Sequence, residues 1–349
     1  MNKNITITTL KTPFVSESGF LFEGAEVAYK TWGKLNERRD NVVVICHALT
    51  GHAAADEWFP GLIGEGRVCD PADHFIICIN VPGSCYGSVG PKSVNPKTGR
   101  PFQGDFPDLT IRDFVRFQQA VLNQLGVEGI HFVIGASMGA MQVLEFAVMD
   151  PRVRAAIPIA AGKAHSPWAI AISHAQRSAI AADPNWNNGF YDDESKPEKG
   201  LAAARMMAMV TYRSPSDYTL KFGRELQPGK EIFAVESYLD YQGQKLAGRF
   251  DANTYMILTR AMDTHDLSRG RSSFEEILDR IEIPVLVIGI DSDLLYPIGE
   301  QLELARLLPN ARYEEITSKT GHDAFLIEFD QLQTIIQKFL KHRQPLALA

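Results

Sequence analysis

Five apolar runs recur along the chain: Val42 to Leu49, Phe75 to Val81, His131 to Ala136, Ala155 to Ala161 and Pro284 to Ile290. A strand with one face in water alternates apolar and polar residues, whereas a strand covered on both faces reads as an unbroken apolar run. These runs do not alternate, so they predict a mostly parallel sheet with helices on both faces. Stretches of helical period lie between them, notably Thr110 to Leu125 and Met138 to Met149. Strand and helix in alternation specify an α/β architecture.

The alternation stops after Ala161, and the chain turns helix-prone and rich in Met, Ala, Arg and Tyr until Pro284 opens a further strand. An insertion that leaves a sheet and returns to it predicts a helical cap over the C-terminal edge of the strands, where open α/β folds carry their ligands. The predicted organisation is a core of residues 1–162 and 283–349 with a cap of residues 163–282. Within the cap, Asp192 to Gly200, charged and broken by Pro197, reads as a surface loop.

Composition narrows the function without naming it. A chain of 349 residues with 45% hydrophobic and 22% charged residues is ordinary for a globular enzyme. The formal charge of -7 argues against nucleic acid or an anionic membrane as partner, because both demand a dominant basic surface. The opening residues MNKNITITTL carry no long apolar segment, and no run approaches the roughly 20 residues of a membrane span. The expectation is a cytoplasmic protein. Four cysteines without a C-x-x-C pair read as reduced thiols, and nine histidines without an H-E-x-x-H motif predict neither a metal nor a resident cofactor.

The chemistry concentrates at Gly135-Ala-Ser137-Met-Gly139, which runs from a buried-strand pattern directly into an amphipathic helix. A G-x-S-x-G in that context is the nucleophile elbow of α/β-hydrolase folds, with glycines two residues either side of the serine because larger side chains would strike the backbone. Ser137 is therefore the predicted nucleophile. In that fold the acid and the base follow the nucleophile in chain order. Asp293 follows the strand ending at Ile290, and His322 follows the strand-like run Tyr313 to Ile316. Asp293 is preferred to Asp291 because it lies further into the loop, although either could cap the helix starting near Ile298. The two backbone donors of an oxyanion hole are predicted at Met138, after the nucleophile, and at Leu49, in His47-Ala-Leu-Thr-Gly51 after an early strand.

Beyond these motifs the chain closely resembles the homoserine O-acetyltransferase family. The resemblance is carried by His47 to Gly51, Asn80 to Gly90 (NVPGSCYGSVG), Gly104 to Thr110 (GDFPDLT), the elbow, Gly200 to Ser214, Glu236 to Gly243 (ESYLDYQG), Arg249 to Asp266, and Gly321 to Leu326. It implies transfer of an acetyl group from acetyl-CoA, a co-substrate, to the hydroxyl of L-homoserine in methionine biosynthesis. An acyl-Ser137 intermediate and ping-pong kinetics follow from that chemistry. It implies further that Arg205 binds the homoserine carboxylate, that Asp323 binds its ammonium, and that the chain forms a homodimer through the cap.

Arg205 also has weight of its own, since an arginine buried in the otherwise apolar helix Leu201 to Val210 needs an anionic partner. That partner could equally be a carboxylate of the cap, and Asp323 could simply cap a helix. Met206, Met207 and Met209 read as core or dimer packing. The chain departs from the family's usual pattern with Ala136 and Ala140 at the elbow and with Val81-Pro-Gly-Ser84 ahead of Cys85. A succinyl-CoA donor, a serine acceptor, or water as acceptor in a plain esterase remain alternatives at this stage.

Overall fold

The computed structural model describes residues 5–341, so the ends of the predicted core, 1–4 and 342–349, lie outside the described residues. Eight strands form one sheet: β1 (Thr6–Thr9), β2 (Glu26–Trp32), β3 (Val42–Cys46), β4 (Phe75–Ile79), β5 (Ile130–Ala136), β6 (Ala156–Ile159), β7 (Val285–Ile290) and β8 (Ala311–Ile316). Their spatial order is β1-β2-β4-β3-β5-β6-β7-β8. β2 runs antiparallel to β1 and β4, and every other pairing is parallel.

The unbroken apolar runs have the predicted cause. Val42 and Val44 of β3 point into one core, and Val43 and Ile45 point into a second core on the opposite face. Successive strand residues face opposite ways, so a strand covered twice must be apolar at every position. Helices α1 (Ile111–Gln124) and α2 (Met138–Met149) fill the first face. The C-terminal α10 (Phe329–Lys341) fills the second through Leu332, Ile336 and Phe339. From β3 the chain steps to β4 on one side and later to β5 on the other, so the loops after β3 and β5 diverge. That divergence opens a crevice at the C-terminal edge.

Between β6 and β7 the chain forms α3 (Pro167–Ala181), α4 (Glu198–Tyr212), α5 (Pro215–Phe222), α6 (Ala234–Ala247), α7 (Ala252–Asp263) and α8 (Phe274–Asp279), and α9 (Ile298–Leu307) lies between β7 and β8. α4 packs between α3 and α6. The returning chain is tied to the core where the buried Glu145 of α2 accepts from Arg112 Nε of α1 at 3.1 Å and from Arg271 Nη2 at 2.7 Å.

One reading from sequence is corrected. The predicted surface loop ends at Pro197, because α4 already begins at Glu198 and Gly200 is buried in it. The buried run at Val42 leaves the sheet after Cys46, and His47 to Gly51 form a separate turn closed by Gly51 N–H to Ala48 O at 2.9 Å.

Candidate active site

Ser137 stands between the last residue of β5 and the first of α2, with φ 56° and ψ -125°. A non-glycine residue at positive φ costs about 1–3 kcal/mol and persists only where its surroundings hold it. Here they do: its N–H donates to Ile159 O of β6 at 2.9 Å, and its carbonyl accepts from Ala140 N at 2.8 Å. Gly135 and Gly139 let the elbow press on β3. A Cβ at 135 would lie 2.7 Å from the Gly139 carbonyl and 2.8 Å from Cys46 O.

Asp293 lies in the loop after β7, and His322 opens a single 3-10 turn, His322–Leu326, after β8. Both are buried, and His322 Nδ1 lies 2.6 Å from Asp293 Oδ2. A carboxylate only accepts, so Nδ1 carries the proton and Nε2 keeps the lone pair of a base. The other oxygen, Oδ1, accepts from the N–H groups of Leu295 at 2.8 Å and Tyr296 at 2.9 Å. Asp291 turns elsewhere, accepting from Ser318 N at 3.0 Å. The imidazole of His322 is walled by Tyr212, Tyr296 and Phe325, with ring centroids 5.6, 5.3 and 5.4 Å away.

Leu49 lies in the turn after β3 and Met138 at the first position of α2, and both are buried. Neither amide has an acceptor among the described residues. A helix's first N–H groups lack intrahelical acceptors and sit at its positive end, which suits a developing anion. The Leu49 turn is braced by residues the sequence had not singled out. His47 Nε2 accepts from Val81 N at 3.1 Å while Nδ1 faces Ala48 O at 2.9 Å. Burial pushes His47 down to about 4, so it stays neutral and can accept at one nitrogen while donating at the other. Gln142 of α2 donates to both His47 O at 3.2 Å and Met138 O at 3.0 Å, joining the turn that carries Leu49 to the start of α2. From the cap side, Arg249 donates to Thr50 O at 3.2 Å.

Arg205 is half-buried on α4, not buried as its apolar neighbours implied, because α4 is a surface helix that leaves Met207 and Val210 exposed. Met209 is buried and Met206 half-buried. No carboxylate among the described residues lies within 4.0 Å of the Arg205 guanidinium, which instead sits 5.2 Å over the ring of Tyr212. Asp323 does not cap a helix: its Oδ2 faces Arg213 Nε at 3.3 Å. Burial raises the Asp323 carboxyl, and the positive charges of Arg213 and Arg205 oppose that rise. Arg213 is shared with Asp217 at 3.4 Å. Arg213, Tyr212 and Tyr296 had no signal of their own in the sequence, since aromatic residues in apolar stretches read as core.

Among the described residues no group of His, Cys, Asp or Glu is arranged to hold a metal ion. No helix there is long and apolar enough to cross a membrane.

Residues 41–329 match the model of the alpha/beta hydrolase fold family. A homoserine O-acetyltransferase of Nostoc punctiforme is 52% identical over 335 residues, covering 94% of each chain. The crystal structure of the homoserine O-acetyltransferase from Bacillus anthracis superposes with a TM-score of 0.90 at 30% identity, covering 97% of this chain and 98% of that one. Esterase E22 superposes with a TM-score of 0.88 at 27% identity, over 96% and 99%. An elbow, an acid and a base in hydrolase order, joined to half-identity along nearly the whole length, place this chain in the homoserine O-acetyltransferase family of the α/β-hydrolase fold.

Proposed function

We propose that the protein transfers an acetyl group from acetyl-CoA to the hydroxyl of L-homoserine through an acyl-Ser137 intermediate, a step of methionine biosynthesis. His322 Nε2 takes the Ser137 proton as Oγ attacks the thioester carbonyl, while Asp293 holds the imidazole and balances its charge. The tetrahedral oxyanion rests on the N–H groups of Leu49 and Met138. As the intermediate collapses, the C–S bond breaks and His322 returns the proton to the departing thiol of CoA. The homoserine hydroxyl then gives its proton to His322 and attacks acyl-Ser137. Collapse breaks the ester, reprotonates Ser137 and yields O-acetylhomoserine.

The observation that carries an amino acid, rather than water, as acceptor is Arg205. It is a half-buried cation without a carboxylate partner among the described residues, set over Tyr212, whose ring packs against His322. A hydrolase needs no such group, while an amino-acid carboxylate would complete it. Asp323, next to His322 in the chain, supports recognition of the ammonium through a carboxylate already opposed to one arginine. The exposed Met207, Val210, Leu220 and Tyr241 on α4, α5 and α6 suit a second copy of the chain docking through the cap. Four free thiols suit a reducing, cytoplasmic setting.

Mass spectrometry after incubation with acetyl-CoA or succinyl-CoA alone tests the reading. The Ser137 peptide gains an acetyl group, which L-homoserine removes and L-serine does not. A succinyl adduct overturns the donor, and equally fast loss in water alone overturns the acceptor in favour of an esterase.

A further inference from the structure

Tyr296 is fully buried, and its ring is one wall of the His322 cage. Its hydroxyl lies 3.2 Å from Nδ1 of His165, a buried residue in the segment that leads from β6 into α3. His165 Nε2 faces Asp263 Oδ1 of α7 at 3.8 Å, and Asp263 Oδ2 accepts from Arg177 Nη2 of α3 at 2.5 Å. His165 Nε2 and Asp263 Oδ1 are both buried without a direct hydrogen bond, at a separation that a small shift or one water closes. The series His322, Tyr296, His165, Asp263, Arg177 therefore leads from the proposed base to two cap helices, with one gap, the 3.8 Å between His165 and Asp263.

We propose that His165 is a positioning residue for the reaction: by accepting the Tyr296 hydroxyl, it locks the Tyr296 ring against His322 and couples that ring to the Asp263–Arg177 pair of the cap. The direction of the bonds follows from chemistry. A carboxylate can only accept, so the proton of a neutral imidazole belongs on Nε2, toward Asp263. Nδ1 is then an acceptor, and the tyrosine hydroxyl donates to it. Burial, together with the nearby charges of His265 and Arg177, holds His165 down to about 3, so it remains neutral at working pH. Burial likewise keeps Tyr296 protonated as the donor. An imidazole that must alternate between Ser137 and the leaving group gains from walls that do not move. Tyr296 is held at its backbone by Asp293 and at its hydroxyl by His165, so the acid and the cap fix one ring between them.

The inference rests on the triad of the proposed function but not on its acceptor. It is therefore tested on p-nitrophenyl acetate, which needs Ser137 and His322 and no homoserine. Tyr296→Phe removes the hydroxyl alone, His165→Leu removes the acceptor, and His165→Asn keeps an acceptor oxygen near the place of Nδ1. Tyr296→Phe and His165→Leu should each lower kcat about tenfold with KM unchanged, as loss of one ordinary hydrogen bond implies. The double variant should be no slower than either single one. His165→Asn should recover most of the rate.

The acid limb of the kcat/KM profile should also move in the two impaired variants, reporting a changed His322 environment. The titratable groups around His322 are Asp293 after β7, Tyr296 and Tyr212 against its ring, and Asp323 beside it, whose carboxyl in turn feels Arg213 and Arg205. A Tyr296→Phe enzyme with wild-type kcat and an unmoved acid limb overturns the proposal, and so do equal rates for His165→Asn and His165→Leu. If His165→Leu fails to fold, Tyr296→Phe with His165→Asn still decides the question.

Discussion

Gly135→Ala adds one methyl group where three backbone atoms already crowd. Its Cβ would stand 2.7 Å from both Gly139 C and Gly139 O and 2.8 Å from Cys46 O. Real Cβ atoms essentially never come closer than 3.0 Å, and ordinary contact begins at 3.4 Å. No side chain can rotate away, so α2, β3 or both retreat by about 0.3 to about 0.7 Å, an overpacking that costs about 1–3 kcal/mol of stability. Gly139 follows Met138 directly, so the retreat carries the Met138 N–H away from the proposed oxyanion position while leaving Ser137 chemically intact. A 1 Å misplacement costs about a hundredfold in rate, so about tenfold or more is expected for this shift.

The assay is stopped-flow release of CoA thiol in the first turnover, read beside thermal unfolding. Acylation per folded molecule should slow, and the melting temperature should fall. Ala140→Gly, which removes a buried methyl from the same turn, should lose about 1–2 kcal/mol of stability and keep its acylation rate. A Gly135→Ala protein that acylates at the wild-type rate would falsify the argument that this contact sets the oxyanion geometry.

Other outcomes follow from the same site. Arg205→Ala should leave acylation by acetyl-CoA intact and raise the homoserine concentration needed for deacylation; equal losses in both half-reactions would remove Arg205 from the acceptor site. Asp293→Asn keeps the shape but offers Nδ1 a changed partner, and kcat should fall about 10⁴-fold; a drop below tenfold would mean that another group orients His322. His47, pushed down to about 4 from 6.5, binds its proton in the unfolded chain before the folded one. Its contribution is therefore complete above about pH 6.5 and is lost at about 1.4 kcal/mol per pH unit as pH falls toward 4. Thermal melts across that range should show a shallower acid loss in His47→Gln, and parallel curves for the two proteins would refute the assignment.

The sequence disclosed those parts whose cause is local. β3 to β7 are visible because strands buried on both faces must be apolar throughout, and the elbow is visible because its glycines answer a steric demand within five residues. β1 and β2 escaped because they form the antiparallel end of the sheet, where β1 is exposed or half-buried throughout and β2 mixes exposed, half-buried and buried positions. α10 did carry a signal, the stripe Phe329, Leu332, Ile336 and Phe339 at helical spacing. Among the charged residues, Arg205 was visible as an anomaly in an apolar stretch, but its degree of exposure depends on which face of α4 the cap turns outward. Arg213 and Tyr296 gain their roles only through loops more than a hundred residues distant or through a neighbouring catalytic side chain, and nothing local marks them.

The junction between α4 and α5 is fastened to the loop that carries His322, the proposed base. Ser214 N–H donates to Thr320 O at 3.2 Å, its hydroxyl bonds Lys319 O, and a Cβ at Gly321 would lie 2.8 Å from Arg213 C and Ser214 N. This joint governs how the insertion can diverge. Outer cap helices can lengthen, shorten or change their surface without disturbing the triad, but a residue gained or lost near 213–214 is transmitted to His322. Substrate preference can therefore drift through the distal cap, while the inner hinge of the same insertion is held to the pace of the catalytic residues.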